Sequence, residues 1–317
     1  MILSASRRTD IPAFYSEWFM NRLKEGFVYV RNPMNFNQIA NIRLSPNNVD
    51  CIVFWTKDSK NIMQYLNQIN EIGYKYYFQF TITPYGKEIE NNIRDKYEII
   101  ETFKELSDKI GKEKVILRYD PIFIQENSKY SIDFHIKAFE KLINSLSQFT
   151  NRVVISFIDG YRKVATNMKD IKIKEISNND MRFIARYFSD ITKKHNLQLE
   201  TCAEEIDLKE FGINHSQCID GDLIEKIIGY NIFNKYIRDD NRLYCGCMKC
   251  VDIGQYDSCI HNCAYCYANI NKKKALENYK KHNKKSPILF GDFNAEMVKE
   301  RTNGIESFKI SQGELKL

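Results

Sequence analysis

The sequence predicts an α/β protein built as a partial (β/α)6 barrel of the TIM type, with a cysteine-rich section following it. Three observations lead there. Six short β-branched or aromatic runs occupy the first two-thirds of the chain, helical-period segments separate them, and eight of the nine cysteines fall between Cys202 and Cys266. The runs are 1–6, 51–56, 76–83, 115–120, 152–159 and 197–202, so successive strands begin 25 to 50 residues apart, the length of βα units. Each is a short apolar run of the kind that is buried on both faces of a parallel sheet. Between them, apolar residues recur with helical period over 14–25, 59–72, 88–110, 131–148 and 178–195. Such alternation means a parallel sheet, open or closed. Six units are fewer than the eight of a full barrel, and a doubly wound open sheet is the alternative. The domain reading is a barrel over 1–205, a cysteine-rich section over 206–270 packed on its rim, and a basic helix with a tail over 271–317.

At 317 residues, 43% hydrophobic and 28% charged, the chain can bury a large core, so disorder is excluded as a description of the whole. No window reaches the ~18 uninterrupted apolar residues of a membrane span. The start, MILSASRRTDIP, has no basic stretch ahead of an apolar one, so no secretory signal is read and the cytosol is the expected compartment. The net charge of +6 is local: residues 271–285 carry seven Lys and one Glu. That stretch reads as a solvated helix face, or as a surface for phosphate or another anion.

Polar residues gather at the carboxyl ends of the expected strands, where parallel α/β folds place their ligand sites. Arg7, Arg8 and Asp10 follow the first strand, and Trp55, Thr56, Lys57 and Asp58 end the second. Thr81, Thr83 and Tyr85 end the third, Arg118 and Asp120 the fourth, Asp159 and Tyr161 the fifth, and Glu200, Cys202, Glu204 and Glu205 the sixth. Capping of turns accounts for the Thr and Asp residues but less well for the clustered Arg, Lys and Trp.

Clustered thiols in a reducing compartment read first as metal or iron–sulfur ligands rather than disulfides. Cys259, Cys263 and Cys266, with Tyr265 before the last, have the spacing C-x3-C-x-aromatic-C. Three soft thiolates so spaced can hold three irons of a 4Fe–4S cluster and leave the fourth open to another ligand. Zinc is the alternative, although structural zinc sites usually combine two C-x2-C-like pairs. Upstream, Cys202, Cys218, Cys245 and Cys247, with Cys250 in reserve, are enough for a second four-cysteine cluster. The other reading is that some are small buried hydrophobes, and Cys51, inside a strand run, is assigned to the core.

The segments SASRRTDIPAFY, FWTKD, LRYDPI, TCAE and CGC, with DIGQYDSCIHNCAYCYAN, resemble a bacterial family of unknown function whose C-terminal cysteines are similar to the cluster motif of radical S-adenosylmethionine (SAM) enzymes. The resemblance covers nearly the whole chain. It implies an iron–sulfur protein, with SAM chelated by the open iron. The order departs from ordinary radical SAM enzymes, whose triplet follows the first barrel strand, and no glycine-glycine-glutamate segment is present. The thiamine-pyrimidine synthase also carries its triplet C-terminally.

On this reading Arg7, Arg8, Lys57 and Arg118 hold the SAM carboxylate or a substrate anion, since the Arg fork matches carboxylates. Asp10, Asp120 or Glu204 takes the ammonium or ribose hydroxyls, and Trp55 or Tyr85 stacks on adenine. Lys57, Arg118 and Asp120 are the candidate catalytic residues. The alternatives are an electron-transfer iron–sulfur protein and a structural zinc protein. A reductant protein such as flavodoxin or ferredoxin is an expected partner. A small molecule or peptide is the expected substrate ahead of nucleic acid, to which the basic stretch and a weak likeness to spore photoproduct lyase point.

Overall fold

The computed structural model describes residues 1–125, 129–158, 167–232, 244–301 and 307–309. Asp159, Tyr161 and most of the tail beyond 301 lie outside the described residues. In chain order the elements are β1 (Ile2–Ala5), α1 (Ile11–Phe14), α2 (Ser16–Glu25), β2 (Phe27–Arg31), β3 (Ile39–Arg43), β4 (Cys51–Thr56), α3 (Lys60–Met63), α4 (Leu66–Ile72) and β5 (Tyr76–Thr81). There follow α5 (Lys96–Ile110), β6 (Val115–Ile122), β7 (Ile124–Gln125), α6 (Ile132–Leu146), β8 (Arg152–Phe157), β9 (Ile173–Lys174), α7 (Asn178–Lys194) and β10 (Gln198–Thr201). The C-terminal third adds β11 (Asn214–His215), α8 (Gly221–Ile228), β12 (Val251–Asp252), α9 (Lys272–Lys280) and β13 (Val298–Glu300).

The main sheet has eight strands in the order β11-β10-β8-β6-β5-β4-β1-β12, and every pair is parallel. All six expected strands are present and lie in sequence order. The sheet is open, consistent with the doubly wound alternative, and does not show the expected partial barrel: among the described residues the edge strands β11 and β12 do not pair with each other. Both edge strands come from the cysteine-rich section, which is thereby built into the sheet. Leu3 of β1 lies opposite Val251 of β12 and also opposite Ile52 of β4.

Alternation along the strands sends two side-chain sets to two faces. Leu3, Ile52, Phe54, Phe78, Phe80, Leu117, Val153 and Ile155 face the crossover helices, meeting Phe19, Ile69, Phe103, Phe139 and Phe188. Phe139 of α6 and Phe188 of α7 stack with ring centroids 3.7 Å apart. On the other face Ile2, Cys51, Val53, Tyr77, Ile116 and Val154 meet Ile224 of α8 together with Cys218, Cys247 and Met248. Cys51 is fully buried there, as expected of a core residue.

The helix expected over 88–110 begins only at Lys96, where Asp95 accepts a hydrogen bond from the Tyr97 amide at 2.8 Å and so caps α5. Residues 86–94 instead run alongside the cysteine loop. A second sheet, β13-β3-β2, was not expected from the sequence; β2 and β3 form an antiparallel hairpin and β13 pairs parallel with β3.

Candidate functional site: a thiol-lined cavity at the strand ends

A cavity of about 250 Å³ opens at the carboxyl ends of the parallel strands. The residues after β1 (Ser6 to Asp10), the end of β4 (Trp55 to Lys57), Thr81, Arg118, Asp120, Ser156 and Cys202 all line it. The cysteine-rich section supplies the opposite wall, including Cys218, Cys245, Cys247, Cys259, His261, Cys263, Tyr265, Cys266 and Tyr267. Both cysteine groups therefore face one space, together with the rim cations.

Two carboxylates build the scaffold. Asp10 accepts from the Ala13 amide (2.9 Å), the Thr56 hydroxyl (2.8 Å), the Lys57 amide (2.7 Å) and His261 Nε2 (2.7 Å). It thus ties the β1 loop, the β4 loop and the cysteine loop together, and its acceptor sites are used up rather than offered to a ligand. Asp252 does the same on the other side of β1, accepting from the hydroxyls of Ser4 (2.8 Å) and Ser6 (2.6 Å) and from the amides of Arg7 (2.8 Å) and Gly254 (3.0 Å). Gly254 must be glycine here, because a Cβ would lie 2.0 Å from the Ser6 hydroxyl oxygen.

Four upstream thiols form a chain of contacts. The sulfurs of Cys202 and Cys218 are 3.4 Å apart, and Arg118 Nη1 donates to Cys218 Sγ at 2.8 Å. Hydrogen bonds from Cys202 and Cys247, helped by Arg118, hold the Cys218 thiol well below its ordinary pKa despite burial. A hydrogen bond from Cys247 lowers Cys245 to about 6 against its burial, with Arg7 adding to the effect. Cys202 and Cys247, as donors, move the other way. Cys250 lies off the cavity, accepting from Arg7 Nη2 at 3.2 Å.

The triplet is different: burial pushes Cys259, Cys263 and Cys266 all upward. Backbone amides nevertheless point at two of the sulfurs, from His261 to Cys259 and from Ala268 and Asn269 to Cys266, which favours the thiolate. Residues 86–94 clamp this loop. The Ala264 amide donates to the Ile89 carbonyl (2.8 Å), the Asn92 amide to the His261 carbonyl (3.1 Å), and Asn92 Nδ2 to the Ile260 carbonyl (2.8 Å).

Glu90, fully buried, sits beneath the clamp. Its carboxylate accepts from Lys57 Nζ (2.9 Å), the Thr83 hydroxyl (2.8 Å), Lys96 Nζ and the Tyr265 hydroxyl. Burial opposes its ionisation, but the two ammonium groups and these hydrogen bonds outweigh it and hold its pKa at about 2. The lysines respond in opposite directions. Burial works against both charges; for Lys57 the nearby Glu90, Cys263 and Asp120 outweigh it, whereas for Lys96 burial and repulsion from Lys57 prevail.

Of the residues expected from the sequence, Arg7, Arg8, Asp10, Trp55, Thr56, Lys57, Arg118 and Asp120 line the cavity with seven of the cysteines. Tyr85 and Glu204 do not. Tyr85 is buried in an aromatic cluster, stacked on Phe123 at 4.3 Å, and donates to the Pro121 carbonyl, so it cannot lie against an adenine in the cavity. Glu204 accepts from the Phe157 amide at 2.8 Å and braces β8. Arg118 lies over Trp55 at 5.5 Å and binds Asp120, so its fork is engaged within the wall. Glu90, His261, Asp252 and Tyr267 were not foreseen; His261, Asp252 and Tyr267 all lie inside the segment DIGQYDSCIHNCAYCYAN and so carried a signal that could have been used.

Among the described residues no group of three or more His, Cys, Asp or Glu is disposed to hold a single metal ion. The donor chemistry nonetheless suits a soft metal centre: two sets of thiols, amides aimed at sulfur, and cations to balance thiolates. A cubane needs no convergence on one point, because its irons occupy separate corners.

A family model described as a domain of unknown function (DUF1848) matches residues 2–268. The chain belongs to this family. The DUF1848 match takes in every cysteine and ends just before α9. No curated protein matches the chain. Similar solved structures include a Bacteroides thetaiotaomicron protein described as an α-L-fucosidase (12% identity, 75% of this chain and 86% of that one, TM-score 0.24). An enoyl-acyl carrier protein reductase from Bacillus cereus shows 8% identity over 48% and 70% (TM-score 0.25). A dihydropyrimidinase from Brevibacillus agri shows 11% over 69% and 53% (TM-score 0.30). At these values the likenesses inform neither the fold nor the site. No helix among the described residues is long and apolar enough to cross a membrane.

Proposed function

We propose that this DUF1848 chain is an iron–sulfur protein of radical SAM type, with a 4Fe–4S cluster on Cys259, Cys263 and Cys266. The observation that carries the proposal is the meeting of the three-cysteine loop and the basic strand-end rim on one cavity. When bound, such a cluster would supply one electron for the reductive cleavage of SAM. The chain's own residues would hold the ligand. Arg8, whose contacts are a long hydrogen bond to the Gly254 carbonyl (3.5 Å) and the Tyr256 ring (5.4 Å), is the best placed cation for a carboxylate. Lys57, held charged by Glu90, adds positive potential beside Tyr265. Trp55 and Tyr267 offer the aromatic surfaces.

One feature favours the partial barrel as the description of the sheet: the six central strands follow one another in a single direction without a switch point. The cysteine section then occupies the place of a barrel interior. The cavity, at about 250 Å³, lies just below the usual span of ligand pockets, roughly 300–1,000 Å³, which favours a small molecule or a peptide side chain as substrate. Cys202, Cys218, Cys245 and Cys247 would hold a second thiolate-ligated centre. Iron, sulfide and zinc counts decide between cluster and ion there. The test of the activity is 5′-deoxyadenosine formation after dithionite reduction in the presence of SAM. Its appearance supports the enzyme; an intact cluster that binds no SAM supports an electron carrier instead.

A further inference from the structure

The cysteine loop runs directly into α9, and the two are fastened together. Asn269 Nδ2 donates to the Cys259 carbonyl (2.7 Å), the Asp257 amide donates to the Ala268 carbonyl (3.0 Å), and Asn278 Nδ2 of α9 donates to the Asp257 carbonyl (2.9 Å). Lys272 Nζ reaches Asn91 Oδ1 at 3.0 Å, beside the clamp that holds the triplet. Helix α9 turns Ala275 and Asn278 inward, and Tyr279 packs on Phe14 and Tyr15. Its outer face carries Lys272, Lys273 and Lys280 together with one carboxylate, Glu277, which lies 4.0 Å from Lys273, and Lys281 is exposed just beyond.

Three large apolar side chains are exposed on the same short segment: Tyr267 at 40%, Ile270 at 51% and Leu276 at 47%. Tyr267 also lines the cavity. A purely solvated helix face would account for the lysines but not for this apolar group among them. Apolar residues exposed among charges that are mostly of one sign are the make-up of a transient, electrostatically steered protein interface. Nucleic acid is less well matched, since the exposed groups next to the lysines are mainly aliphatic and give little stacking surface.

We infer that the α9 face and the segment leading into it, which expose Tyr267, Ile270 and Leu276 along with Lys272, Lys273, Lys280 and Lys281, dock an acidic electron-carrier protein that reduces the triplet cluster. This rests on the cluster reading above. In the step, one electron leaves the anionic hydroquinone of a flavin carrier, giving its semiquinone, and takes the cluster from the 2+ to the 1+ state. The lysines raise the encounter rate, and the apolar residues seat the carrier beside the cysteine loop.

The experiment uses the full-length, cluster-loaded protein and a reduced bacterial flavodoxin, following bleaching of the cluster absorbance by stopped flow. Lys273→Glu/Lys280→Glu/Lys281→Glu should slow bleaching roughly tenfold or more at low salt, and the wild-type rate should fall with added salt. Reduction by dithionite should be the same in both proteins, which shows that the cluster and fold are intact. Leu276→Ser should weaken carrier binding with little change in salt dependence. An unchanged flavodoxin rate in the triple variant overturns the inference. So does salt-sensitive retention of a DNA oligonucleotide that the variant loses while its flavodoxin rate is kept. If no cluster forms at all, dithionite bleaches nothing, and it is the functional reading that has failed.

Discussion

Replacing Glu90 by glutamine keeps the shape of the side chain and removes the charge that Lys57 and Lys96 share. The carboxylate is fully buried and its pKa falls from an ordinary 4.5 to about 2. A shift of that size corresponds to about 3 kcal/mol of stability at neutral pH. Breaking a buried ion pair by removing one partner gives a similar figure, about 3–5 kcal/mol. The sign follows from the direction of the shift. Because the folded pKa lies below the unfolded one, the contribution is fully present above about pH 5 and is lost as pH falls from there towards 2. Thermal unfolding of metal-free protein in chelator, by circular dichroism, should show Glu90→Gln melting roughly 5–10 °C below wild type at pH 7. The gap should narrow between pH 4 and pH 2. A difference under about 1 °C at pH 7, or a gap that widens in acid, would refute the assignment of Glu90 as the buried counter-charge.

Three further outcomes follow from the packing and the site. Phe188→Ala, which deletes half of the stacked pair with Phe139, should cost about 3–5 kcal/mol in denaturant unfolding. His135 is buried between the Tyr119 hydroxyl and the Phe123 carbonyl, and burial lowers its pKa to about 4. The unfolded chain then takes up a proton that the fold refuses. Stability should therefore fall by about 3 kcal/mol as pH drops from 6.5 to 4, and His135→Gln should flatten that limb of the pH–stability curve. Asp10→Asn should lose two of the four hydrogen bonds that Asp10 accepts, among them the one from His261 that seats the cysteine loop. Alkylation of the metal-free triplet should quicken about tenfold or more, read by mass spectrometry.

How much of this was legible in the residues depends on the range of the interaction. The six central strands could be read because a strand buried on both faces must be apolar throughout, and 51–56 matches β4 at both ends. Edge strands such as β12, two residues long, have no periodicity to read; β12 exists because Leu3 and Ser4 of β1 offer their edge to it. The segment 88–95 looked helical by its apolar spacing. Asp95 stops the helix, and the same apolar residues serve the clamp on the cysteine loop. The rim residues were found because strand order places them. The direction of each side chain was not legible, so Tyr85 and Glu204 were assigned to a cavity that they do not line. Glu90 gave no local sign at all, since a buried carboxylate is recognised only by the two lysines and the tyrosine that the fold brings to it.

The central claim is that Cys259, Cys263 and Cys266 hold a 4Fe–4S cluster. The most direct measurement is iron and acid-labile sulfide per chain after anaerobic reconstitution, comparing wild type with Cys259→Ala/Cys263→Ala/Cys266→Ala. The account predicts that the triple variant loses about four irons and four sulfides per chain relative to wild type, whatever remains on Cys202, Cys218, Cys245 and Cys247. Equal iron and sulfide in the two proteins, or native protein holding zinc without sulfide, would contradict it.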